Sequence, residues 1–136
     1  MLKIGLDFHG VCDTYGALIA PLSRYLVEQG HQVHIITGQK QEEIVNLVRA
    51  LGIEFTHFFS ITDYHERINS LGKSKTPIRY DDRGRPWMDE TIWNQTKAEY
   101  CAQNDITIHI DDSEKYGRYF TTPYIYIGKK NENTDC

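Results

Sequence analysis

Short, largely apolar runs alternate with segments of helical period along this chain, and that alternation narrows the possible folds more than any other feature. Residues 2 to 7 (LKIGLD) read as one strand and residues 32 to 37 (QVHIIT) as another, with β-branched residues near its end. Between them Leu18, Leu22, Tyr25, Leu26 and Gln29 fall at helical spacing. Pro21 lies close to the first turn, where a missing N–H is tolerated, and Gly30 supplies a C-cap. A second helix is predicted over 41–51, because Ile44, Leu47, Val48 and Leu51 repeat at i, i+3, i+4, i+7. Glu42 and Glu43 sit in its first turn, where the helix dipole favours acids, and Gly52 follows its end. A third strand over 53–60, a short helix from about Asp63 to Leu71, a helix ending near Asn104, and strands over 106–110 (ITIHI) and 124–128 (YIYIG) complete the pattern. Parallel neighbours need crossover connections, so strands alternating with helices predict an α/β fold: a mostly parallel sheet with helices on its faces.

One stretch departs from the alternation. Residues 76 to 89 (TPIRYDDRGRPWMD) read as two short arms around the turn DDRG, a β-hairpin inserted before the last helix. At 136 residues the chain suits one domain over 1–128, with 72–89 as the insertion and a polar tail, 129–136, expected to fray. Hydrophobic residues make up 40% and charged residues 25%, the balance of a globular protein, and the net charge of −4 argues against a general nucleic-acid or membrane-surface binder. Cys12, Cys101 and Cys136 form neither a CxxC pair nor an even-numbered framework, so no thiolate metal site is expected. Reduced thiols, the lack of a basic leader and the lack of an apolar run of membrane length make a cytoplasmic protein the expectation.

In an open parallel sheet, ligands bind outside the carboxyl ends of the strands. Those ends deliver Asp7, then Thr37 with Gly38, then Asp111 and Asp112 with Ser113. A helix preceding a parallel strand has its N-terminus at the same edge. With NQT (94–96) as its start and Asn94 or Thr96 as N-cap, Lys97 opens that helix and reaches over the edge, with Lys73 or Lys75 as alternatives. Carboxylates that cannot all ionise side by side call for a cation, and an oxygen-only donor set selects a hard one, Mg²⁺. A lysine and a threonine hydroxyl beside a backbone N–H supply what the oxygens of a phosphoryl group need.

The ordered set IGLDFHGV (4–11), IITG (35–38), Lys97 and IDDS (110–113) resembles the haloacid dehalogenase superfamily of phosphohydrolases over essentially residues 1 to 128. The resemblance implies a three-layer α/β/α Rossmann-like core, an aspartyl-phosphate intermediate and a Mg²⁺ cofactor. It makes Asp7 the nucleophile and a metal ligand, and Thr37, Gly38 and Lys97 the phosphoryl-binding residues. Asp111 and Asp112 become the acidic metal pair, one a direct ligand and one behind it, and the His9 backbone carbonyl a further ligand. His9 is also the departure, since the phosphatase members usually carry a second aspartate there as general acid and base. Three readings stay open. His9 does that work itself, it tunes the site toward activated substrates or another phosphoryl-transfer step, or it leaves a non-catalytic phosphate- or nucleotide-binding module. A receiver-like domain is disfavoured by the order of motifs, because receivers place their paired acids after the first strand.

The expected activity is therefore Mg²⁺-dependent hydrolysis of a small phosphorylated metabolite or nucleotide. Only a short turn separates Val11 from the first helix, so 72–89 is the sole candidate lid. Its Lys73, Lys75, Arg79, Arg83 and Arg85 outnumber Asp81 and Asp82, and Tyr80 and Trp87 offer flat surfaces, a combination suited to steering an anion and stacking a ring. An open site also admits larger substrates, including a phosphorylated polymer end or another protein. His31, His34, His57, His65 and His109 show no metal-ligand spacing, and His34 and His109, inside predicted strands, are expected to be satisfied buried groups. Nothing in the sequence indicates the oligomeric state.

Overall fold

A computed structural model describes residues 1–74 and 76–128; Lys75, the tail and Cys136 lie outside the described residues. In chain order the elements are β1 (Lys3–Leu6), α1 (Gly16–Glu28), β2 (Gln32–Thr37), α2 (Gln41–Ala50), β3 (His57–Ser60), α3 (Ile61–Ser70), β4 (Arg79–Tyr80), β5 (Pro86–Trp87), α4 (Glu90–Gln103), β6 (Ile108–Asp111), α5 (Glu114–Gly117) and β7 (Tyr124–Tyr126). Five strands form one sheet in the order β3-β2-β1-β6-β7, and every pairing in it is parallel. The chain builds outward from β1 to β3 and then returns to the other side of β1 at β6. This reversal opens a crevice at the carboxyl ends of β1 and β6. The inserted hairpin pairs Arg79 with Trp87 and Tyr80 with Pro86, antiparallel, as expected.

Side-chain alternation along the strands divides the core into two faces. Ile4, Leu6, Val33 and Ile35 pack with Ile19, Ala20 and Leu26 of α1 and with Ile44 and Val48 of α2. Ile36 packs on the opposite face with Cys101 of α4 and with Ile106. Each fully buried aliphatic side chain contributes roughly 1.5–3 kcal/mol. Cys12 and Cys101 are buried free thiols. No helix among the described residues is long and apolar enough to cross a membrane.

Several expected details are corrected. The inward face of α1 is Ile19, Ala20, Ser23 and Leu26, whereas Leu18, Leu22 and Tyr25 are exposed. Small residues make the close approach here: Ser23 Oγ donates to the Ala20 carbonyl and accepts from Glu54 N, bonds that a large side chain would displace. Pro21 lies inside the helix rather than in its first turn. On α2, Ile44 and Val48 are buried while Leu47 and Leu51 are exposed, so its apolar stripe is narrower than its sequence suggests. The third strand starts at His57 instead of 53, and the strands expected over 106–110 and 124–128 are Ile108–Asp111 and Tyr124–Tyr126.

His34, in β2, is a satisfied buried histidine, as expected. Its ring donates from Nε2 to Gln32 Oε1 at 2.9 Å, accepts at Nδ1 from the Tyr100 hydroxyl at 2.7 Å and stacks on His57 at 4.2 Å. Burial pushes its pKa down to about 4, helped by the nearby charges of His57 and Lys3. A neutral ring in the fold and an ordinary one in the unfolded chain mean that the unfolded chain binds more protons between about pH 6.5 and about pH 4. Stability present above that window is therefore lost as the pH falls through it. Thermal melts at stepped pH should show this loss, with a shallower slope in His34→Gln; an equal slope in the variant would remove His34 from the effect.

Candidate active site

The site is assembled where the register brings strand ends together. Leu6 pairs with both Ile35 and Ile110, and Asp7 N donates to the Ile110 carbonyl at 3.0 Å, so Asp7 and Asp111 leave neighbouring strands at one edge. After Asp7 the chain enters a tight turn over Phe8–Cys12, in which Phe8, Val11 and Cys12 are buried. Gly10 takes φ +86° there, and a Cβ at that position would lie 2.0 Å from Asp112 Oδ2. Glycine is required on both counts, and the space it leaves is filled by the Asp112 carboxylate.

Lys97 binds the two strand-end acids together. Its Nζ donates to Asp7 Oδ1 and to Asp111 Oδ2, each at 2.8 Å, and lies 4.7 Å from the centre of the Tyr116 ring. The lysine is 1% exposed, and Asp7 and Asp111 are buried. Burial alone would lower the pKa of Lys97, but the carboxylates of Asp7 and Asp111 outweigh it and hold the ammonium well above its usual range. Burial raises Asp7 to about 7, with Asp111 adding to the rise and Lys97 opposing it. Asp111 goes the other way, to about 2: burial would raise it, but the hydrogen bond from His109 and the charge of Lys97 prevail.

The predicted origin of Lys97 is corrected. Helix α4 begins at Glu90, with Asp89 as N-cap accepting from Ile92 N at 3.0 Å, rather than at Asn94 or Thr96. Thr96 resembles a cap in sequence but bonds back to the Ile92 carbonyl inside the helix and meets His65 Nε2. The longer helix carries its first turns beyond the sheet edge. Lys97, in its middle, is thereby level with the strand ends. Lys73 is exposed, and Lys97 alone among the described lysines contacts the strand-end acids.

The other expected residues gather around this pair. Thr37 ends β2 and is buried; its hydroxyl accepts from Gln39 N at 3.3 Å. Gly38 is pinned by Thr62 of α3, whose hydroxyl and N–H both donate to its carbonyl, and a Cβ on Gly38 would lie 2.9 Å from the Trp93 ring. Asp7, Asp111 and Asp112 each present a carboxylate oxygen, and the three atoms lie within 4.8 Å of one another. Lys97 is bonded to Asp7 and Asp111, the donor atoms of all three acids are hard oxygens, and Gly10 leaves room for Asp112 among them. That set fits a divalent cation such as Mg²⁺.

His9 is exposed. Its Nδ1 meets Asp13 Oδ2 at 2.9 Å and its Nε2 meets Gln39 Oε1 at 2.8 Å. Asp13 also accepts the Gly10 N–H at 2.7 Å. Partial burial would raise Asp13, but the bonds from His9 and Gly10 hold it below the ordinary carboxylate value. A carboxylate only accepts, so Nδ1–H donates to Asp13, and Nε2 is the ring nitrogen turned to Gln39.

A cavity of about 750 Å³ opens over Asp7, His9, Thr37, Gly38, Lys97 and Asp112, and the hairpin forms its far wall. Trp93 and Tyr116 line it, while Trp87, expected as a flat surface over the site, lies outside and donates Nε1 to Asp81. Asp13, Gln39, Trp93 and Tyr116 were not singled out by the sequence; only the four-residue spacing of His9 and Asp13 hinted at one of them. His109 is a partial correction. Its Nε2 meets Asp111 Oδ2 at 2.9 Å, while Nδ1 lies against the Gly5 backbone and makes no well-aligned hydrogen bond among the described residues. The H-x-D spacing of His109 and Asp111, which puts both on one strand face, carried that signal. Comparison of the chain with protein-family models, curated proteins and solved structures gives no match.

Proposed function

We propose that this chain is a Mg²⁺-dependent phosphomonoester hydrolase that works through a phosphoryl group carried on Asp7, with a small phosphorylated metabolite or nucleotide as substrate. The observation that carries the reading is the buried Asp7–Lys97–Asp111 bridge at the mouth of the sheet's crevice. Such a bridge is a costly arrangement for stability alone, because burying three charges offsets much of what their attraction returns.

Asp7, His9 through its backbone carbonyl, Asp111 and Asp112 would hold the cation. When bound, Mg²⁺ supplies the positive charge that lets the carboxylates ionise together and draws off charge from phosphoryl oxygens. Lys97 fixes the rotamer of Asp7 through Oδ1 and balances its charge. The Thr37 hydroxyl and the adjoining Gly38 backbone receive the remaining phosphoryl oxygens. The Asp7 carboxylate attacks phosphorus, an aspartyl O–P bond forms, and the bond from phosphorus to the alcohol oxygen breaks. That oxygen takes its electron pair and a proton from His9 Nε2, where the leaving group replaces Gln39. Water then attacks the aspartyl phosphate, gives its proton to Nε2, and releases inorganic phosphate with Asp7 restored.

Incubation with Mg²⁺ and p-nitrophenyl phosphate tests the reading. Sustained release that depends on Asp7 supports hydrolysis; tight phosphate binding without release would favour the non-catalytic module. Within the reaction, His9→Ala should lower kcat by about 10² to 10⁴-fold, the span for losing a general acid or base. His9→Asp should retain or raise it. An alanine variant as active as the parent would take His9 out of the proton transfers.

A further inference from the structure

The hairpin turn fixes the backbone of Arg83 and both the backbone and the side chain of Arg85. Asp81 Oδ1 accepts the N–H groups of Arg83 and Arg85, each at 2.9 Å, and Oδ2 accepts Arg85 Nε at 2.7 Å and Trp87 Nε1 at 3.2 Å. These bonds, that of the Arg85 N–H foremost, hold the half-buried Asp81 carboxyl down to about 2. Gly84 at φ +75° closes the turn with its N–H on the Asp81 carbonyl. The hairpin is also fastened to the body: the Tyr80 hydroxyl donates to Glu66, which pairs with Lys40 Nζ at 2.8 Å. A hairpin carrying charge only for solubility needs neither the template nor the anchor.

The cations on the cavity wall differ in what neutralises them. Lys40 pairs with Glu66, Arg85 with Asp81 and Lys97 with Asp7 and Asp111. Arg83 lines the same cavity, and its guanidinium has no acidic partner among the described residues. A planar fork of donors held on a fixed turn across from a phosphoryl site suits a second phosphate. The cavity, at about 750 Å³, also has room for more than a bare phosphoryl group.

We propose that Arg83, presented by the Asp81-templated turn, forms a subsite for a second phosphate on the leaving-group side, so that the preferred substrates are small bisphosphorylated molecules. The proposal rests on the phosphohydrolase reading for the position of the first phosphate. Both can be tested separately by binding, without turnover. Isothermal titration of the full-length Asp7→Asn protein in Mg²⁺ compares hexane-1,6-diol bisphosphate with hexyl phosphate, a pair that differs only in the second phosphate. The bisphosphate should bind about tenfold more tightly, the scale of one exposed charge-assisted contact. That ratio should fall to about one in Arg83→Gln and below one in Arg83→Glu, both changes at an exposed turn position. Equal binding of the two ligands, or a preference that survives Arg83→Gln, overturns the subsite and leaves the first phosphate site standing. Binding of neither ligand contradicts the phosphate site and the subsite with it.

Discussion

Asp7→Asn is expected to remove phosphatase activity, lowering kcat by roughly 10⁴-fold or more, because an amide cannot serve as the attacking group. The fold should survive the change. Asparagine has the same shape, and the residue it replaces is a carboxyl already pushed up to about 7 by burial and by Asp111. Lys97 keeps its 2.8 Å bond to Asp111, so the ammonium is not stranded. The expected signature is thus a protein that melts within a few degrees of the parent and no longer releases p-nitrophenol. An Asp7→Asn protein as active as the parent would place the chemistry elsewhere.

Lys97→Met has the opposite signature, with stability and activity failing together. Removing the ammonium leaves Asp7 and Asp111 buried side by side with like charges, and breaking a buried ion pair from one end costs about 3–5 kcal/mol. For a chain of this length that is a fall in Tm of about 10–20 °C. Added Mg²⁺ should recover part of it by supplying positive charge to the same carboxylates, and should do so more in the variant than in the parent. Thermal melts with and without Mg²⁺ measure both effects. An unchanged Tm in Lys97→Met would show that the bridge does not hold the strand ends together.

The two variants together explain why some of the site was legible in the sequence. Asp7, Thr37 and Asp111 end short apolar runs, and in a parallel sheet every such end reaches the same edge, so their meeting follows from strand periodicity alone. Lys97 was legible as a residue but not in its setting, because Thr96 and Asn94 imitate a cap that Asp89 supplies. The buried face of α1 was misread for a related reason: Ala20 and Ser23 pack inward because they are small, and periodicity counts only large apolar residues. Gln39, Trp93 and Tyr116 could not be read at all, since each matters only through a partner from a distant segment. Trp93, for example, acquires its place from the missing Cβ of Gly38 and the Tyr116 hydroxyl, which accepts its Nε1–H at 3.1 Å.

Chemical capture of the phosphorylated carboxyl examines the central claim most directly. Protein quenched in acid during turnover and reduced with borohydride is digested, and the peptide spanning Asp7 is read by mass spectrometry. Homoserine at position 7, absent when substrate is withheld, is the predicted result. Substrate consumed while that peptide retains only aspartate would contradict the account.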